Sequence, residues 1–295
     1  MSLKREIQQL LAKYNISPNK VLGQNFLIDE KVINSLLDTA KISKKDTVVE
    51  VGSGTGVITK KLARVAKRVL AVEKDPKLVE LLKQEFSVYK NVEVINEDIL
   101  KWEFPQNHND NNKDGETGQI SNVKGQLSGL KLVGAIPYYL TARLFRHFLQ
   151  EMQNSPLLIA VIIPKAVAQR ICAKPPNLNL LAVSVQIYGE PKIIKNVPRT
   201  CFWPQPKVDS AILIVSDIAK PKVDEEHFFE VLKAGFSSPR KKLITNLSKK
   251  LKQPRAQLEN IFKKTNIDPS IRAESLTVEK WKELVLRIEH LTHSQ

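Results

Sequence analysis

The segment Thr47-Val-Val-Glu-Val-Gly-Ser-Gly-Thr-Gly56 constrains this chain more than any other stretch. Val48, Val49 and Val51 read as a buried strand, the glycines as a tight turn, and residues 59–67 as a helix. Glycine lets the backbone pass close to a ligand, and a helix amino end presents N–H groups that lack internal partners. A strand that runs through such a turn into a helix opens a parallel α/β unit. The spacing Gly52-x-Gly54-x-Gly56 differs from the G-x-G-x-x-G of dinucleotide binders.

The pattern continues downstream. Strands are expected over residues 69–72, 92–95, 130–133, 157–163, 183–187 and 211–215, with a helix over 76–86. Two helices precede the turn, one over 2–14 with Leu3, Ile7, Leu10 and Leu11 on one side, the other ending near Ala40. Such alternation predicts an α/β fold with a doubly wound, mostly parallel sheet. Glu73 ends the second strand, where a carboxylate can accept hydrogen bonds from ribose hydroxyls. Asp98 follows the third, where it can accept from an adenine amino group. Both stand where open α/β sheets bind ligands, so a nucleoside-containing cofactor is expected at Gly52, Gly54, Glu73 and Asp98.

The partner is read from charge. Lys and Arg total 46 against 31 acids, a formal +15, and such an excess favours a polyanion. No apolar run suffices to span a bilayer, and the first residues lack a signal-peptide pattern, so nucleic acid is expected, and no membrane. Two cysteines, Cys172 and Cys201, have neither disulfide-framework nor metal-ligand spacing; reduced thiols, a cytoplasmic protein and no metal are expected. Residues 105–129 are polar and aperiodic and read as a mobile loop. After residue 220 the pattern is helical only, which predicts a domain boundary there. Residues 233–264 hold ten basic side chains and one acid, Glu259. Arg240, Lys241, Lys242, Lys249 and Lys250 are the expected phosphate contacts, and Leu243, Leu247, Leu251 and Leu258 the inward face.

These residues, with Leu22-Gly-Gln-Asn-Phe-Leu27, Phe202-Trp-Pro-Gln-Pro-Lys-Val-Asp-Ser-Ala211, Phe236-Ser-Ser-Pro-Arg-Lys-Lys-Leu-Ile-Thr-Asn-Leu247 and Arg272-Ala-Glu-Ser-Leu276, resemble the small-subunit ribosomal RNA adenine N6,N6-dimethyltransferase family over nearly the whole chain. The resemblance implies a Rossmann-like class I S-adenosylmethionine-dependent methyltransferase sheet, residues 1–219, and a smaller all-α carboxy-terminal domain, residues 220–295, that docks RNA. It implies S-adenosylmethionine as cofactor, with Asn25 and the Leu27 backbone at its methionine and sulfonium end and Gly52, Glu73 and Asp98 as further contacts. The implied partner is 16S rRNA in the small ribosomal subunit; a monomer is the simplest expectation. Phe202 is implied to help hold a flipped base.

In that family an Asn-(Leu/Ile)-Pro-Tyr motif supplies acceptors for the target amine and a stacking ring. Here Ile136, Pro137 and Tyr138 fit, but Ala135 stands at the Asn position, which is also a cofactor contact. A methyl group accepts no hydrogen bond, so methyl transfer is expected to be impaired. Ala166, in Pro164-Lys-Ala166, is a second departure, where the family usually has Gln-Lys-Glu. Two alternatives stand beside this reading. One is the related macrolide-resistance-type 23S rRNA adenine N6-methyltransferase; the other is a non-catalytic RNA-binding assembly factor. A small-molecule methyltransferase leaves the basic helical part unexplained.

Overall fold

The computed structural model describes residues 1–102 and 129–292. The loop expected over 105–129 therefore lies, apart from Gly129, outside the described residues.

In chain order, α1 (Leu3–Lys13), β1 (Phe26–Leu27) and α2 (Glu30–Ala40) precede the glycine turn. The turn joins β2 (Thr47–Val51) to α3 (Val57–Val65), followed by β3 (Arg68–Glu73), α4 (Pro76–Glu85) and β4 (Val92–Asn96). Then come β5 (Leu130–Ala135), α5 (Thr141–Arg146), β6 (Leu158–Pro164), α6 (Lys165–Ile171), α7 (Leu180–Gln186), β7 (Glu190–Val197), β8 (Phe202–Trp203) and β9 (Ser210–Ser216). Among the described residues, α8 (Glu225–Gly235), α9 (Leu243–Leu251), α10 (Arg255–Lys264) and α11 (Val278–Thr292) follow.

The starts of several helices follow from single side chains. Ser2, Asp29, Asp75, Asn179 and Asp224 each accept a backbone N–H from the first turn of the following helix. Such a cap contributes about 1 kcal/mol.

The main sheet has the order β4-β3-β2-β5-β6-β9-β7. β4 through β6 run parallel, and β9 is antiparallel to both β6 and β7. This is the expected mostly parallel sheet. Its strand order reverses between β2 and β5, the place where open α/β sheets bind ligands.

Alternate residues feed opposite faces. Val49 and Val51 join one apolar cluster with Phe145, Phe148 and Leu213, while Val48 joins another with Ile33, Leu36 and Ile212. The first cluster continues without a break into Phe228, Leu247, Phe262 and Trp281 of the carboxy-terminal helices.

One expected strand is wrong. Residues 183–186 belong to α7 and Ile187 follows at its carboxy-terminal cap; Asn179 caps this helix through Ala182 N–H, and it buries Ala182, Val183 and Val185. The strand at that place in the sheet is β7, an edge strand rich in polar residues. A short apolar run reads alike in a buried helix and a buried strand, and edge strands carry charge that masks their period. The helix expected over 59–67 begins two residues earlier, at Val57, directly after Gly56.

Candidate active site

A cleft opens where the strand order reverses. Val51 and Gly52 from the end of β2, Glu73 from β3, Ala135 from β5 and Ile162 from β6 line it. Gly52, Gly54 and Gly56 all have positive φ, which side chains resist. At Gly54 a Cβ would also press on the Phe26 ring at 3.3 Å. In β5 the need is close approach: a Cβ on Gly134 would meet the Val51 carbonyl oxygen at 2.5 Å.

Glu73 is 8% exposed. Its Oε1 accepts N–H bonds from Lys74 (2.8 Å) and Asp75 (3.0 Å), and its Oε2 accepts one from Gly54 (2.9 Å). Burial pushes this carboxyl up from its ordinary range, and the three N–H donors oppose that shift. A carboxylate has about four acceptor positions, so one remains open on Oε2, and Glu73 lines the cleft. The carboxylate thus ties the end of β3 to the glycine turn and still has capacity for a hydroxyl. Asp98 lines the same cleft. Burial pushes its carboxyl up, but the Lys74 ammonium at 2.9 Å and the Leu100 N–H at 3.1 Å outweigh that and hold it low.

The amino-terminal motif closes one side. β1 pairs antiparallel with β8, with Phe26 opposite Trp203 and Leu27 opposite Phe202. Two segments distant in sequence thereby become neighbours at the cleft. Gln24 donates to Asp75 at 2.8 Å and accepts from Asn19 N–H at 2.7 Å, which pins the loop that carries Asn25. Asn25 lines the cleft and donates to the Gly23 carbonyl at 2.9 Å. Leu27 is not among the lining residues; its side chain is buried in the core, and Phe26 lies at the cleft instead.

Ile136, Pro137, Tyr138 and Phe202 also line the cleft. Phe202 is 5% exposed, so little of its ring reaches solvent. The Tyr138 hydroxyl lies 2.8 Å from Ser210 Oγ. Burial pushes the Tyr138 phenol up, and the Ser210 hydrogen bond works against it. Ala135 is partly exposed at the end of β5, opposite Ile162 of β6. Ala166 is exposed on α6 and is not among the cleft-lining residues. The two departures therefore do not share a site. Asp209 accepts Arg199 N–H at 2.9 Å, a turn-fixing bond.

Sequence reasoning passed over Lys74, Tyr139 and Ser210. Tyr139 lines the cleft and is 48% exposed; only its place next to Tyr138 signalled it. A further carboxyl, Glu50, lies buried below the turn and accepts from Thr59 Oγ1 at 2.5 Å. Burial pushes it up to about 8, against the hydroxyls of Thr59 and Ser53.

Arg240, Lys241, Lys242, Lys249 and Lys250 are all exposed, while Leu243, Leu247 and Leu258 are buried and Leu251 is half-buried. Buried Asn246 donates to the carbonyls of Gly235 (2.7 Å) and Ser238 (3.0 Å), which holds the loop that carries Arg240 and Lys241. No side chain caps the amino end of α9, directly after Lys242. No helix among the described residues is long and apolar enough to cross a membrane.

The family described as "Ribosomal RNA adenine dimethylase" matches residues 15–290. A protein of Dehalococcoides mccartyi named "Ribosomal RNA small subunit methyltransferase A" is 36% identical over 288 residues, covering 97% of this chain and 93% of that protein. A protein of the same name from Clostridium botulinum is 37% identical over 282 residues, covering 94% of this chain and 96% of that one. Among solved structures, the 23S rRNA methyltransferase ErmE superposes with a TM-score of 0.68 at 25% identity, covering 90% of this chain and 100% of that chain. A dimethyladenosine transferase from Plasmodium falciparum gives 0.73 at 22% identity, covering 90% and 98%, and shows the shared fold.

Proposed function

This chain belongs to the ribosomal RNA adenine dimethylase family, and from that premise we propose that it is an S-adenosylmethionine-dependent small-subunit rRNA adenine N6,N6-dimethyltransferase whose turnover is curtailed at Ala135. The observation that carries this reading is the cleft itself. It gathers Gly52, Gly54, Glu73 and Asp98 at the strand-order reversal and sets Ala135 to Tyr138 directly beside them.

Bound S-adenosylmethionine supplies an electrophilic methyl group on sulfur. The protein's residues do the rest. Glu73 Oε2 offers an acceptor to a ribose hydroxyl, and Asp98 offers one to the adenine amine. Asn25 sits on the loop that closes the methionine end. Leu27, buried in the core, serves through the β1–β8 pairing. Tyr138, held by Ser210, presents its ring to the flipped target base, and Phe202, which lines the same cleft, helps to hold it.

The exocyclic nitrogen of adenine is a weak nucleophile because its lone pair is delocalised into the ring. Fixed acceptors for its hydrogens turn that lone pair toward the methyl group. At Ala135 one such acceptor is missing, and loss of one preorganised polar group costs roughly a hundred- to a thousandfold in rate. Carbonyl oxygens of the Ala135–Pro137 backbone are the acceptors left to carry residual transfer.

Residues 1–219 form the methyl-transferring part and 220–295 the docking part in this reading, and the protein works as a monomer in the cytoplasm. Arg240, Lys241 and Lys242, next to the uncapped amino end of α9, and Lys249 and Lys250 along it, contact 16S rRNA phosphates. The names of the relatives at 36–37% identity favour the small subunit over the 23S rRNA for which ErmE is named.

The test uses the Ala135→Asn protein, labelled S-adenosylmethionine, and separate under-methylated small and large subunits. N6,N6-dimethyladenosine in small-subunit RNA is expected. Label confined to the large subunit, or no transfer to either, overturns the reading.

A further inference from the structure

The sheet carries a cationic surface of its own, apart from the basic helices. Between Pro191 and Val208 the chain has Lys192, Lys195, Arg199 and Lys207 and no acid. All four are exposed. None takes part in an ion pair among the described residues.

A backbone irregularity aligns the first two. Residues three apart on a regular strand face opposite sides of the sheet. In the β7–β9 pairing, Lys192 lies opposite Ile214 and Ile193 opposite Leu213, but Lys195 lies opposite Ile212. Ile194 is the extra residue of a β-bulge. Ile212 and Ile214 are two apart and share a face, so Lys192 and Lys195 share it too. Ile193 turns to the other side and packs with the cluster that contains Leu213. Without the bulge, Lys195 would point into that apolar cluster.

The row also has a direction. β7 ends at Val197, opposite Ser210, whose hydroxyl holds Tyr138. Arg199 follows in a turn fixed by Asp209. Lys195 is close enough to the Cys201 thiol to act on it electrostatically, and Cys201 immediately precedes Phe202. Lysines on an edge strand also discourage pairing with another sheet. That role needs neither a common face nor an approach to the cleft.

We propose that Lys192, Lys195 and Arg199 form a phosphate track for the rRNA strand flanking the target adenine, leading it along the sheet edge to the Tyr138–Phe202 wall. The proposal rests on the rRNA methyltransferase reading above. Binding through the carboxy-terminal helices alone would anchor the particle; the track would set the register of the strand at the cleft.

The test is equilibrium binding of under-methylated small ribosomal subunits across a salt series. Each phosphate contact contributes about 0.7–0.9 to the slope of log K against log salt. Lys192→Gln/Lys195→Gln is expected to bind more weakly, with a slope shallower by about 1.5. Lys83→Gln/Lys90→Gln, exposed cations near the opposite edge of the sheet, should keep the parent slope. Affinity for S-adenosylmethionine should be unchanged in both pairs, which reports that each is folded. An unchanged slope in the β7 pair, or an equal loss in the opposite-edge pair, overturns the track and leaves the methyltransferase reading standing. Absence of salt-dependent binding by the parent protein overturns both.

Discussion

Glu50 lies 1% exposed beneath the glycine turn, and its carboxyl is pushed up to about 8 by burial. The neutral form is therefore the one that the fold favours. The consequence for stability has a definite sign. Below its ordinary value of 4.5 the group is protonated in both states, and the fold keeps its full contribution. As pH rises through 4.5 toward 8, only the unfolded chain releases the proton, and stability falls by up to about 1.4 kcal/mol per pH unit. Glu50→Gln keeps the shape and an acceptor for Thr59. It is expected to flatten this decline, so that urea unfolding at pH 6 and pH 8.5 differs less for the variant than for the parent. A parent and variant with the same pH dependence would show that Glu50 titrates normally.

Residues of this kind mark the limit of what sequence discloses. Glu73 and Asp98 were legible because strand ends beside a glycine turn are where ligand acids belong. Glu50 lies within the β2 strand itself, where nothing in the pattern separates a buried carboxyl from an edge charge. Ser210 could not be paired with Tyr138 from sequence, because β9 must fold back beside β6 before the hydroxyls meet.

At the scale of elements, the site depends on how closely β2 and β5 approach. Gly134 stands between them, and its missing Cβ would sit 2.5 Å from Val51 O and 3.1 Å from Val51 N. Both are backbone atoms in the sheet and cannot rotate away. Gly134→Ala is expected to lose about 1–3 kcal/mol of stability and to weaken cofactor binding, since Gly52 and Ala135 are adjoining residues on the displaced strands. Thermal unfolding and S-adenosylmethionine titration would check it; an unperturbed melting temperature would contradict it.

The strands at this point were readable because each holds a short run of buried apolar residues, Val48, Val49 and Val51 in β2 and Leu130, Leu132 and Val133 in β5. β7 was not, because its residues face water at a sheet edge and Ile194 breaks its period. α7 was misread for the complementary reason. Its Val183 and Val185 suit a strand, but the Asn179 cap starts a helix there. The β1–β8 pair escaped sequence reasoning altogether, since two-residue strands carry no period.

Across the whole molecule, the apolar cluster below the sheet runs into Phe228, Leu247 and Trp281. The helices on either side of Arg240 to Lys242 are thus packed onto the body that holds the cleft. The compositional change after residue 220 was plain in sequence; the shared core was not, because the inward face of each helix does not disclose its partner. In the proposed reading, docking, cofactor binding and chemistry are separable properties of one chain, and the proposed defect at Ala135 falls on the chemistry. The decisive measurement is single-turnover methyl transfer to under-methylated small subunits at saturating S-adenosylmethionine, comparing the chain with Ala135→Asn. A rate roughly a hundred- to a thousandfold higher is expected for Ala135→Asn, with similar affinities for cofactor and subunit. Equal rates for the two proteins would contradict this and assign the acceptor role to the backbone alone.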